Sequence, residues 1–244
     1  MINIFYFIYS IIGWIVCSLA FSTHMLVVLI AAPFVRDQIG FNIACTRPII
    51  RTALWILRIK VKVENSEFIP TDKAFIVVAN HQSHVDIPAF LLAIPRPFGF
   101  IAKKELLNVP IVGWDIRSQG HIAIDRSKPA QARKQLEELV SAITTNKKNL
   151  VVFAEGTRSA TGELGKFKLG AFDLAVKTGA VLIPASISGS FDVLSKRSME
   201  MRPGTITIRF SVPIAVPEFA KGRELEQIRD DVVAAISESM SQNG

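Results

Sequence analysis

His81 and Asp86 stand five positions apart in the segment Asn80-His81-Gln82-Ser83-His84-Val85-Asp86. An imidazole titrates near neutral pH and can take a proton from an alcohol. A carboxylate beside it fixes the tautomer and stabilises the imidazolium that forms. The pair can therefore activate a hydroxyl without any protein nucleophile. The same seven residues also fit a polar turn in which Ser83 or Asp86 caps a following helix. A metal site drawn from His81, His84 and Asp86 is a third reading, although the other two histidines, His24 and His121, have no matching spacing.

Three further polar clusters follow apolar runs: Lys103-Lys104-Glu105, Asp125-Arg126 and Glu155-Gly156-Thr157-Arg158-Ser159. Gly156 allows close backbone approach, and the guanidinium of Arg158 suits bidentate binding of a phosphate. Each cluster taken alone also reads as a solvated loop. Taken with His81 and Asp86, they describe a hydroxyl-activating base among phosphate-binding cations. Other chemistries lack their signatures. No G-x-S-x-G elbow, P-loop or G-x-G-x-x-G fingerprint occurs.

Positioning these groups requires a sheet. The run 74–79 is continuously apolar and predicts a buried strand, so the His81 segment leaves it at the C-terminal end, where open α/β sheets bind ligands. Further strands are expected at 98–102, 121–124, 150–154, 181–187 and 205–210. Helices are expected at 46–59, 87–93, 129–144, 169–178 and 224–240. The alternation predicts an α/β domain with a mostly parallel sheet flanked by helices. The polar, turn-rich stretch 195–204 reads as a linker.

Half of the 244 residues are hydrophobic, and the excess lies at the start: residues 1–35 contain no Asp, Glu, Lys or Arg. The stretch 2–21 is about long enough to cross a bilayer as a helix; Thr23 and His24 interrupt the run, and a shorter apolar stretch covers 25–34. One tilted span and a helical hairpin in one leaflet both fit, and a buried helix of a soluble protein is the alternative. A signal peptide would carry a basic leader, which is missing here. Residues 36–62 then hold six cations against Asp37 alone, a large part of the net charge of +7. Cations beside an apolar span favour the cytoplasmic face of the cell membrane and attract anionic head groups. The basic balance is thus read as membrane contact, with no nucleic-acid partner, since no nucleic-acid-binding motif is present. Cys17 and Cys45 lack disulfide or zinc spacing. Two units are expected: a membrane-embedded apolar helical segment, 1–35, and an α/β domain, 36–244.

Four ordered blocks resemble the PlsC-type glycerolipid acyltransferase family, especially its 1-acyl-glycerol-3-phosphate acyltransferases. They are Asn80-His81-x4-Asp86, Lys103-Lys104-Glu105-Leu106-Leu107 through Gly120-His121-Ile122-Ala123-Ile124-Asp125-Arg126, Phe153-Ala154-Glu155-Gly156-Thr157-Arg158-Ser159, and Val181-Leu182-Ile183-Pro184-Ala185. The resemblance implies acyl transfer from acyl-CoA or acyl-carrier protein to the sn-2 hydroxyl of 1-acyl-glycerol-3-phosphate, giving phosphatidic acid, with no metal or redox cofactor. It implies His81 as general base and Asp86 as its orienting carboxylate. Lys103, Arg126, Glu155, Gly156, Thr157 and Arg158 are then expected on the acceptor-phosphate side, with Lys168 as a further contact. The chain departs from many members at Leu169, where they carry lysine, and at Ala154, where they carry proline. The same chemistry on another lysolipid (lysophosphatidylethanolamine, a lyso-ornithine lipid or lysocardiolipin) is the alternative within the class. A non-catalytic membrane protein that binds anionic lipids is the alternative outside it.

Overall fold

The computed structural model describes residues 4–31, 34–109, 112–124, 129–146 and 148–242. In chain order it contains α1 (Ile4–Ala31), α2 (Gln38–Ile56), β1 (Ile59–Glu64), β2 (Phe75–Ala79) and α3 (Asp86–Ala93). β3 (Gly99–Lys103), α4 (Val112–Ser118), β4 (Ile122–Ile124), α5 (Pro129–Asn146) and β5 (Leu150–Phe153) follow. The chain then forms α6 (Gly170–Thr178), β6 (Val181–Ser188), α7 (Ser190–Val193), β7 (Gly204–Phe210) and α8 (Arg223–Ser241).

β2 is buried at every position because it lies in the middle of a seven-stranded sheet of order β1-β7-β6-β2-β5-β3-β4. The strands from β6 to β4 run parallel, whereas β7 is antiparallel to β6 and carries β1 beside it in its own direction. Successive side chains of a strand face opposite ways. Phe75, Val77 and Ala79 accordingly enter a core shared with α2 and α3, while Ile76 and Val78 enter one shared with α5, α6 and α8. This is the expected α/β architecture, a mostly parallel sheet between helical layers.

Several elements differ from the sequence reading. The helix expected at 46–59 begins at Gln38, where the Asp37 carboxylate accepts from the Gly40 N–H at 2.9 Å, and ends at Ile56. Ile59–Glu64 is instead an edge strand, entered through a left-handed turn at Arg58. One of the cations assigned to the basic collar is used internally. The Arg47 guanidinium donates to the carbonyls of Leu91 and Ile94, at 3.0 and 2.5 Å, which satisfies the C-terminal end of α3.

α1 runs unbroken through Thr23 and His24, so the two apolar stretches of the N-terminal segment form one helix. His24 is 4% exposed and bonded on both ring nitrogens, to Asp115 Oδ1 and Thr46 Oγ1, each at 3.0 Å. The polar interruption is therefore a contact point with α2 and α4.

His121 lies just before β4, its ring edge-on to Phe100, and its Nδ1 accepts from the Phe100 N–H at 3.3 Å. Burial pushes its pKa down to about 4, against the attraction of Asp115. The folded state thus holds a neutral ring, whose contribution is complete above the unfolded pKa near ~6.5 and is lost as pH falls towards the folded value. Thermal melts between pH 7 and pH 4 should show a loss of roughly 3 kcal/mol from this group, absent in His121→Gln. An equal acid loss in the variant would remove His121 as its source.

Candidate active site

The segment after β2 is held from three sides. The Asn80 side chain clamps β6, donating to the Ile187 carbonyl at 2.9 Å and accepting from the Ile187 N–H at 2.8 Å. β2 and β5 pair in parallel with Ala79 opposite Phe153. That register brings Phe153 under the ring of His81, stacked at 4.0 Å between centroids and 10° between planes. Phe153 stacks in turn on Phe100 of β3, at 5.7 Å.

Asp86 is fully buried. Its Oδ2 accepts from His81 Nδ1 at 2.7 Å, from the Gln82 N–H at 2.7 Å and from the Ser83 N–H at 2.9 Å. Its carboxylate therefore holds the preceding turn, reaching backwards instead of capping α3. Ser83 likewise does not cap: its hydroxyl donates to the Leu194 carbonyl at 2.5 Å. Because His81 Nδ1 donates to the carboxylate, Nε2 carries the lone pair. His84 is exposed, and its pKa is held below the usual histidine range by partial burial of the ring, then by Arg158 and His81. Among the described residues no group of three side chains is arranged to hold a metal ion.

The loop after β5 is bonded to the His81 backbone on both sides. Glu155 Oε1 accepts from the His81 N–H at 3.0 Å, and the Ser159 N–H donates to the His81 carbonyl at 2.7 Å. Glu155 is 7% exposed; burial pushes its pKa up, against hydrogen bonds from the His81 and Gly165 backbone. Gly156 turns the loop at φ +73°, a conformation that side chains with a Cβ rarely adopt. Thr157 is exposed and its hydroxyl accepts from Lys196 Nζ at 3.0 Å. No hydrogen bond or ion pair engages the Arg158 guanidinium among the described residues.

His81, Asp86, Glu155, Gly156, Thr157 and Arg158 thus gather at one end of the sheet. Lys103 ends β3 at the same end, but its ammonium lies on Glu105 at 3.1 Å in an exposed pair. Lys168 has its backbone N–H fixed to the Ala154 carbonyl at 2.9 Å and an exposed side chain. Arg126 lies outside the described residues. Phe153 and Lys196 belong to this end of the sheet and were missed in the sequence. The position of Phe153 as the last residue of an apolar strand beside β2 was the available signal.

An apolar cavity of about 280 Å³ lies between α1, α2 and α3. Val85 and Ile87, the neighbours of Asp86, form one wall, with Leu54, Leu57 and Leu91, and α1 closes it with Cys17 and Phe21.

Residues 60–188 match the family model described as Acyltransferase. A 1-acyl-sn-glycerol-3-phosphate acyltransferase of Cocos nucifera is 35% identical over 69% of this chain and 54% of its own length. The alpha form from Mus musculus is 29% identical over 93% of this chain and 75% of its own. The chain spans 54% to 66% of the length of the plant relatives from Cocos nucifera and Limnanthes douglasii. The crystal structure of the 1-acyl-sn-glycerophosphate (LPA) acyltransferase PlsC from Thermotoga maritima superposes with a TM-score of 0.82 at 29% identity, covering 99% of this chain and 97% of that one. The matched segment contains both the His81–Asp86 pair and the loop that holds its backbone, and on that match this chain belongs to the acyltransferase family.

Proposed function

We propose that this chain transfers a fatty acyl group from an acyl thioester, acyl-CoA or acyl-carrier protein, to the sn-2 hydroxyl of 1-acyl-glycerol-3-phosphate. The observation that carries the reading is a base with its Nε2 lone pair open among the described residues, joined through its own backbone to a loop whose guanidinium has no partner among them. The acceptor hydroxyl gives its proton to His81 Nε2 as its oxygen attacks the thioester carbonyl. The tetrahedral intermediate collapses, expels the thiolate, and the imidazolium returns the proton to sulfur. Asp86 stabilises the imidazolium in between. A positioned base contributes ~10²–10⁴ in rate, and alignment of the two substrates supplies much of the rest. Arg158 receives the acceptor phosphate, whose doubly charged form favours a guanidinium fork. The cavity lined by Val85, Ile87 and Leu91 suits an acyl tail next to the reacting carbonyl. The reaction so written uses the two substrates and these side chains.

The proposed location is the cytoplasmic surface of the cell membrane, with segment 1–35 embedded and the α/β domain from 36 outside. α1 is long and apolar enough to span a bilayer. Its contacts support a different placement. The Met201 N–H donates to Ser10 Oγ at 2.8 Å and Trp14 Nε1 donates to the Met199 carbonyl at 2.9 Å, while His24 reaches Asp115 at 3.0 Å. Ser10 and His24 are ~21 Å apart along a helix axis. A helix tied to one polar domain over that length cannot thread a hydrocarbon core of ~30 Å. Its outward face exposes Phe5, Ile8, Ile12, Ile15, Leu19 and Leu26, spaced by three, four or seven residues. α1 would therefore lie along one leaflet within segment 1–35, from which the acceptor can be drawn sideways.

Purified His81→Ala should lose at least ~10²-fold in kcat on lysophosphatidate while remaining folded by circular dichroism, with a lowered melting temperature because Asp86 loses a donor. Asp86→Asn should be severe but leakier, because the imidazole remains. A variant lacking His81 that kept more than about a tenth of the wild-type rate would exclude the base. Arg158→Ala should raise KM for lysophosphatidate, and Arg158→Lys should restore only part of it, because the fork is lost. Equal losses on an uncharged monoacylglycerol would take Arg158 out of phosphate binding. For topology, single cysteines at Ile4 and Asp37, in a background with Cys17 and Cys45 changed to serine, should both react with impermeant maleimide only when the cytoplasmic face is opened. Labelling of position 4 from outside intact cells would show a spanning helix.

A further inference from the structure

The stretch 195–204 reads as a linker by composition, yet the structure ties it to three separate elements. Its two ends meet where the Arg202 N–H donates to the Val193 carbonyl at 2.9 Å. At its start, the Leu194 carbonyl accepts from Ser83, inside the His81–Asp86 turn, at 2.5 Å. In its middle, Lys196 Nζ donates to Thr157 Oγ1 at 3.0 Å and to the Arg158 carbonyl at 2.8 Å. Further on, the Met199 carbonyl and the Met201 N–H are both taken by α1, through Trp14 and Ser10. The approach to α1 is tight: a Cβ on Gly13 would lie 2.5 Å from Met201 Sδ. Met201 itself is 2% exposed.

We propose that Lys196 is a positioning residue for the acceptor phosphate, and that helix α1 holds the loop that carries it. Two of the three ammonium hydrogens fix the backbone and side chain on either side of the Thr157–Arg158 bond. They thereby set the direction in which the Arg158 guanidinium, without a partner among the described residues, leaves the loop. The positive charge also lies close enough to Glu155 to favour its carboxylate, which holds the His81 N–H. The same loop is bonded to α1 four residues from each other at Ser10 and Trp14. Seating of α1 and the geometry of the phosphate loop are in this way one construction. The proposal rests on the acyl-transfer reading and deepens it, since it assigns part of the acceptor selectivity of that site to a residue outside its four sequence blocks.

Full-length protein in detergent micelles, assayed with lysophosphatidate and acyl-CoA varied separately, tests it. Lys196→Met should raise KM for lysophosphatidate about tenfold, with kcat within about twofold and KM for acyl-CoA unchanged. Lys196→Arg, which keeps the charge and the donors, should recover most of the loss. Trp14→Phe keeps the ring, deletes the N–H bonded to Met199, and should shift the same KM about threefold in the same direction. An unchanged acceptor KM in Lys196→Met, or parallel shifts for both substrates, overturns the positioning role. An unchanged acceptor KM in Trp14→Phe overturns the link to α1. A wild-type protein with no transfer to lysophosphatidate would overturn the functional reading together with this one.

Discussion

The fully buried carboxylate of Asp86 is the constraint around which this end of the molecule is arranged. A charge out of water is costly unless donors compensate it. Here three donors converge on one oxygen, from the His81 ring and from the backbone of Gln82 and Ser83. The turn must curl to deliver them, and the curl in turn fixes the imidazole against Phe153. The loop after β5 then attaches to the His81 backbone through Glu155 and Ser159. In a glycerol phosphate the reacting hydroxyl and the phosphate are separated by only a few bonds. On the proposed reading, a base and a phosphate-binding loop that share backbone hydrogen bonds are matched to so short a spacer. No long-range arrangement of surface lysines would hold that distance.

The helices on the other side serve the same end. α1 closes the apolar cavity beside Val85 and Ile87, and its His24 is joined to Asp115, which also accepts from the Gln119 amide. A helix of this composition would be drawn into lipid on its own. The polar contacts of Ser10, Trp14 and His24 instead keep it laid along the domain, so that its exposed apolar stripe is tied to the elements that carry His81.

Much of the sheet was legible because buried parallel strands are continuous apolar runs. β2 and β5 were readable in this way, and with them the places where the His81 turn and the Glu155 loop leave the sheet. β1 was not, because Lys60 and Lys62 were counted as membrane-facing charge when the alternation in Ile59–Glu64 is that of a half-exposed edge strand. Arg47 was counted the same way, although it terminates α3. The stretch 195–204 was missed for a different reason. It bonds mainly through backbone carbonyls and amides, which every sequence possesses, so composition alone cannot distinguish it from a linker. The stacking of Phe153 depends on strand register, a tertiary property that a linear pattern does not carry.

On the proposed membrane seating, the edge strand β1 faces a crowded surface. Molecules seated on a membrane share one orientation and diffuse in two dimensions, so their sheet edges meet in register far more often than in free solution. An unpaired strand edge is a template for joining the next molecule. β1 carries the exposed Lys60 and Lys62, and Glu64 is paired both with Lys62 and with Arg209 of the neighbouring strand, each at 2.5 Å. The opposite edge, β4, is three residues long among the described residues. On that proposed seating, a charged strand on one side and a short one on the other oppose lateral polymerisation.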